Sequence, residues 1–189
     1  MTEHPDGEDD FSLRMLEEGD PHYASIGRVA YAWTAVETML DGLISDLVRA
    51  ADDEATQCLL GQFVGPGPRI RALIALARFR GASEALVTSL NKFGRECTEL
   101  GTKRNRIVHD MVVISMTTGR SFAILGTADR KLEYGYRERS VADMQTIAKQ
   151  IEDLTEAARQ VYYRAIDEIG TPEQKEKLRQ LGILPLNNS

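Results

Sequence analysis

The sequence predicts a mainly α-helical protein: an up-and-down helical bundle with a small β-hairpin inserted after its second long helix. Three observations predict this. Apolar residues recur at three- and four-residue spacing over three long stretches. Proline and glycine clusters punctuate the chain between helices. One short segment, Met111 to Met116, changes to β-branched residues and is followed by the turn Thr118-Gly119-Arg120.

The first long helix is expected from about Pro21 to Ala50. Its stripe runs through Ile26, Val29, Trp33, Val36, Leu40, Ile44 and Leu47. A short helix around Asp52 to Phe63 precedes the breaker Gly65-Pro66-Gly67-Pro68. Pro68 is expected to open the next helix, with Ile70, Leu73, Ile74 and Ala77 on one face, and Gly81 to end it. A second long helix is predicted from Ser83 to Asp110, with Leu86, Leu90, Phe93, Cys97, Leu100, Arg104 and Ile107 forming a heptad seam. Gly94 and Gly101 interrupt it at roughly 1 kcal/mol each against alanine. They are either tolerated irregularities or places of close helix approach. Ser121 to Leu125 reads as the partner strand of Met111 to Met116, and Lys131 to Arg137 as a third short strand. Ser140, with Asp143 three residues on, is an N-cap signal for a last long helix ending near Ile169. A short polar helix, Pro172 to Leu181, completes the chain.

With 189 residues, 42% hydrophobic and 28% charged, the chain is an ordinary globular one with room for a full core. No apolar run reaches the roughly 20 residues of a membrane span, so no membrane association is expected. The acidic, polar start does not read as a secretory signal. The two cysteines, Cys58 and Cys97, sit among apolar residues at helical spacing, so a disulfide framework is not expected and a cytoplasmic location is. The net charge of −6 is concentrated at one end. Residues 1–20 hold eight acids and one base, Arg14; subtracting them from totals of 29 and 23 leaves 21 acids against 22 bases. The expected organisation is an acidic disordered tail over 1–20, a helical domain over 21–170, and a short helix and tail over 171–189.

Two charges stand on seams where apolar residues are the rule. Arg104 follows Leu100 on the second long helix, and Glu37 lies between Trp33 and Leu40 on the first. An unpaired buried charge costs several kcal/mol, so such groups are paired or functional. Glu37 and Arg104 are therefore expected to approach one another, either as a structural salt bridge or with Glu37 orienting Arg104 toward an anionic ligand. Beside Arg104 stand Asn105 and His109, four residues apart on one helix face. Arg104 and His109 are five apart, about 140° around the axis. One straight helix does not aim both at a small target, whereas a cleft between two copies of the chain does, which predicts a homodimer. Histidine moves protons near neutral pH and arginine suits a phosphate gaining charge. With RNA as substrate, the 2′-hydroxyl supplies the nucleophile, so no metal or cofactor is required. There is no Cys-x-x-Cys pair, no His-x-x-x-His pair and no carboxylate cluster at ligand spacing.

Arg104-Asn105-x-x-x-His109, near the end of a helix within a helical bundle, resembles the signature of the HEPN superfamily: an arginine, four to six residues and a histidine, often with a polar residue after the arginine. The likeness extends more loosely to residues 31–37, to the hairpin after His109 and to the last long helix, about 150 residues in all. It implies a metal-independent endoribonuclease of the kind found in toxin-antitoxin and defence systems, with a composite site at a homodimer interface. His109 would act in proton transfer, Arg104 would stabilise the scissile phosphate, and Asn105 would position one of them. RNA and an antitoxin are the implied partners. Two alternatives stand beside this: a non-catalytic helical interaction or regulatory module, and a nucleotide-binding HEPN partner of a nucleotidyltransferase. Arg69, Arg71, Arg78, Arg80, Arg120, Arg130 and Lys131 are candidates to extend a phosphate-binding surface. Arg106 and Lys103 read as a solvated helix face, and Tyr134 and Tyr136 as base-stacking groups or as plain strand alternation.

Overall fold

The computed structural model describes residues 12–49, 53–127 and 133–184. Over these the protein is mainly helical with a small antiparallel sheet. The elements are β1 (Leu13–Met15), α1 (Pro21–Val48), α2 (Asp53–Leu60), α3 (Pro66–Phe79), α4 (Glu84–His109), β2 (Val112–Ser115), β3 (Ser121–Thr127), β4 (Glu133–Glu138), α5 (Val141–Ile169) and α6 (Pro172–Gln180). Backbone contacts divide the chain into two compact units. The first takes the chain up to Ala32 together with Thr102–Gln150; the second takes Trp33–Gly101 and the chain from Ile151.

The first unit holds the sheet, with strand order β1-β2-β3-β4 and every neighbour antiparallel. The expected hairpin is its β2–β3 pair, in which Val113 lies opposite Phe122. Gly119, at φ +70°, takes the left-handed conformation that the connecting turn needs, and its N–H donates to the Ser115 carbonyl at 2.8 Å. All four β2 residues are buried, so this strand is covered on both faces. One of its flanking strands was not expected. Leu13–Met15, read as part of an acidic tail, pairs with Ser115, Ile114 and Val113. The charges around it masked three residues that need only add one edge strand. The rest of the expected tail, residues 1–11, lies outside the described residues. Asp20 also belongs to the fold: its carboxylate accepts the His22 backbone N–H at 3.0 Å, capping α1 ahead of Pro21 at the first helical position.

At the start of α5 the Ser140 hydroxyl accepts the Asp143 N–H at 3.1 Å, and the Asp143 carboxylate accepts the Ser140 N–H at 2.9 Å. This is a capping box with aspartate at its third position. The hydrogen bonds from Ser140, side chain first, hold the Asp143 carboxyl below its usual value of 3.8. A depressed carboxylate stabilises the fold above its unfolded pKa, and that contribution is lost as pH falls through the folded one. Asp143→Ala is therefore expected to lower stability by about 1 kcal/mol at pH 7. Urea titrations should show the gap between variant and parent closing as the pH is taken below 3.8.

The second unit is helical. Its core includes Trp33, Val36, Leu40, Leu43, Leu47, Leu73, Leu86, Leu90, Phe93, Cys97, Ile151 and Ile166. The helix α3 opens at Pro66 rather than at the expected Pro68, after Gly65 at φ +72°. First-turn N–H groups have no partner within a helix, so both prolines fit there without loss. Gly81 ends α3 as predicted: its N–H reaches the Arg78 carbonyl and the Ala82 N–H reaches that of Ala77, both at 3.0 Å. The last carbonyls of α1 are met from the residue that follows α3: Arg80 Nε donates to Leu47 O and Arg80 Nη2 to Val48 O, each at 2.9 Å.

Gly94 and Gly101 are sites of close approach rather than tolerated irregularities. A Cβ on Gly94 would lie 2.6 Å from Ile70 Cγ2; one on Gly101 would meet Trp33 Cη2 at 3.1 Å and Pro66 Cγ at 3.2 Å. Gly101→Ala is expected to destabilise by about 1–3 kcal/mol from overpacking, offset in part by about 1 kcal/mol of helix propensity. Urea denaturation checks the sign: a net gain in stability would show that Trp33 and Pro66 yield freely.

Both cysteines are free; Cys58 is exposed and Cys97 buried. Burial pushes the Cys97 thiol up to about 12. Thiol titration of the native protein at pH 8 is therefore expected to find Cys58 at once and Cys97 only after denaturation.

Candidate functional site

Arg104, Asn105 and His109 stand on the last two turns of α4, in the first unit. Asn105 and His109 are exposed and Arg104 is half-buried. Arg104 Nη1 donates to Asn105 Oδ1 at 3.0 Å, so the asparagine holds the guanidinium rather than the imidazole. Arg104 Nε is buried without a hydrogen-bond partner. The helix runs regularly through His109, so the imidazole shares a face with Asn105 and stands about 140° around the axis from Arg104. Glu37 belongs to the second unit, where its carboxylate meets another arginine: Arg69 Nη1 lies 3.7 Å from Glu37 Oε1.

A second group of cations gathers at the same end of α4. Lys103 and Arg106, expected as a solvated face, line a cleft of about 260 Å³ together with Thr102, Arg137, Arg139 and Asp143. Its apolar floor comes from Ile107, Met144 and Ile147. Arg139 is the fixed point. Its side chain is 9% exposed, and Nη1 donates to the Arg106 carbonyl at 2.6 Å. Its backbone is pinned to β3, because Arg139 N donates to Ser121 O at 2.9 Å and Ser121 Oγ donates to Arg139 O at 2.7 Å. Asp110 lies between two of the arginines, 3.5 Å from Arg106 Nη1 and 3.6 Å from Arg139 Nη1. Burial lowers the Arg139 pKa; Asp110 opposes this, while Arg137 and Arg106 add to it. Asp143 opposes the lowering as well, so four cations stand here with two carboxylates, Asp110 and Asp143.

Asp110, Arg137 and Arg139 were not among the sequence-predicted site residues. The available signal was the Arg137-Glu138-Arg139 alternation, which sets both arginines on one side of an extended segment.

Several arginines expected to extend a phosphate surface have structural partners. Arg69 is held by Asp41, with Nε at 2.7 Å and Nη2 at 3.2 Å from the two carboxylate oxygens, and Nη1 donates to the Phe63 carbonyl at 2.8 Å. Arg80 caps α1, and Arg120 stands 3.7 Å from Glu138. Arg130 and Lys131 lie outside the described residues, as does the Tyr134 side chain. The second unit has its own hollow of about 590 Å³, bordered by Asp46, Arg49, Tyr162 and Gln174. There the Asp46 carboxylate accepts the Tyr162 hydroxyl and, at 3.2 Å, Gln174 Nε2. Among the described residues no group of three or more His, Cys, Asp or Glu side chains is placed to hold a metal ion. No helix there is long and apolar enough to cross a membrane. Compared with known protein families, curated proteins and solved structures, the chain matches none.

Proposed function

We propose that this protein is a HEPN-like, metal-independent endoribonuclease, active as a homodimer in which each site takes groups from both copies. The observation that carries the reading is the triad on α4: an exposed imidazole, and a guanidinium held by the asparagine beside it on the same two turns. In the reaction the 2′-oxygen of the substrate attacks the adjacent phosphorus and the bond to the 5′-oxygen breaks. The products are a 2′,3′-cyclic phosphate and a free 5′-hydroxyl. His109 moves the proton that the 2′-hydroxyl loses or the 5′-oxygen gains, and Arg104 stabilises the charge that builds on the phosphoryl oxygens. The wide angle between the two along one helix is the reason a second copy enters the site. A role as a toxin or defence component, with an antitoxin as partner, follows from this reading.

Purified protein incubated with oligoribonucleotide in excess EDTA tests it. Cleavage leaving cyclic phosphate ends, blocked by a 2′-deoxy sugar at the scissile position, is the expected result. Absence of cleavage would remove the proposed activity.

A further inference from the structure

We propose that the cleft between the end of α4, the end of β4 and the start of α5 binds a backbone phosphate of the RNA strand whose neighbouring linkage reaches His109. The identity of the strand rests on the ribonuclease reading; the charge of the cleft does not. Four cations, Lys103, Arg106, Arg137 and Arg139, line it against the carboxylate of Asp143, with Asp110 behind Arg106 and Arg139. Asp143 and Asp110, the latter shared between two arginines, supply two negative charges against four positive ones, so positive charge is in excess. Lys103 and Arg137 are exposed, and no carboxylate forms a salt bridge with either among the described residues. Arg139 Nη1 donates to the Arg106 carbonyl and stands 3.6 Å from Asp110, so the guanidinium is held in place before any ligand arrives.

The position of the cleft selects a strand over a single phosphate. Arg106 and His109 are three residues apart on one helix, which places their Cβ atoms about 5–6 Å from each other. The wall of the cleft and the imidazole are thus neighbours on one face. A polyanion lying along that face puts one phosphate among the arginines and presents the next linkage to His109. The cleft of about 260 Å³ holds a phosphate and its sugar, and Ile147 offers the sugar an apolar surface.

The test separates binding from cleavage. Binding of a fluorescent oligoribonucleotide of about 12 nucleotides is measured by anisotropy, with His109→Ala as the background that prevents cutting. In that background the exposed pair Lys103→Ala and Arg137→Ala is expected to weaken binding at least tenfold. The salt dependence should also flatten by about 1.4, the value for two lost contacts to a single strand. Unchanged affinity and slope in that variant would overturn the cleft as a phosphate site. Competition by AMP at the same concentration as an unlabelled strand would overturn the choice of a strand. Loss of binding in the pair variant alongside a parent protein that cuts no RNA would sustain the cleft and reject the ribonuclease reading, so the two failures are distinguishable.

Discussion

Replacing His109 with alanine is expected to lower RNA cleavage by roughly 10²–10⁴-fold, the usual worth of a positioned acid or base. The protein should stay folded, because the side chain is exposed and such substitutions change stability by about 0.5 kcal/mol or less. Arg104→Ala is expected to cost about 10²–10³-fold by removing stabilisation of the phosphoryl charge. Lysine at that position should restore little, since a point charge does not reproduce the planar fork that Asn105 holds. Mixing the two inactive variants provides a sharper measurement. If each site takes its imidazole from one copy and its guanidinium from the other, a mixed dimer carries one intact site. Random re-association should then return about a quarter of the parent activity. A mixture as inactive as its components would show that both groups act from one chain, and full activity in His109→Ala would eliminate the mechanism.

Arg69→Ala is expected to be the most damaging of the surface-distant substitutions, at about 2–4 kcal/mol. The guanidinium is 11% exposed on its side chain and ties α3 to Asp41 of α1 and to the carbonyls of Phe63 and Gly65 in the preceding loop. Its pKa is raised, first by the hydrogen bonds to Asp41, against the opposing effect of burial. Asp41 and Glu37 keep 29% and 31% of their side-chain surface exposed, so the 3.7 Å contact to Glu37 contributes little beside the paired bonds to Asp41. A double-mutant cycle in urea should find about 1–3 kcal/mol of coupling between Arg69 and Asp41 and under about 1 kcal/mol between Arg69 and Glu37. Equal coupling to both carboxylates would contradict this account.

The helices were legible because each is written twice, in its apolar period and in its punctuation. Ser140 with Asp143, and Gly81 after α3, marked boundaries by chemistry that acts within a few residues. The sheet was legible only where a local turn joins its strands. β1 is separated from its partner β2 by most of the helical chain, and its three residues carry no alternation long enough to read. The division into two units was not legible either, because α1, α4 and α5 each continue through both without a break in pattern. At the site, spacing alone placed Asn105 and His109 on one face. The partner of Glu37 was another matter: the seam pointed to a buried charge, whereas 31% of the side chain stays exposed and the cation beside it is Arg69, brought there by the turn before α3. Arg139 escaped notice for the same reason, since its role depends on a carbonyl 33 residues away.

Trp33 gives the two units different optical signatures. It is the only tryptophan in the sequence, is 2% exposed, and lies in the second unit close to Gly101 and Pro66. Indole emission therefore follows the melting of that unit alone, while far-ultraviolet ellipticity sums the helices of both. Superimposed denaturation curves from the two signals would mark one cooperative transition; separated curves would resolve two. A tryptophan introduced at Phe122 would supply the missing fluorophore and show which unit yields first.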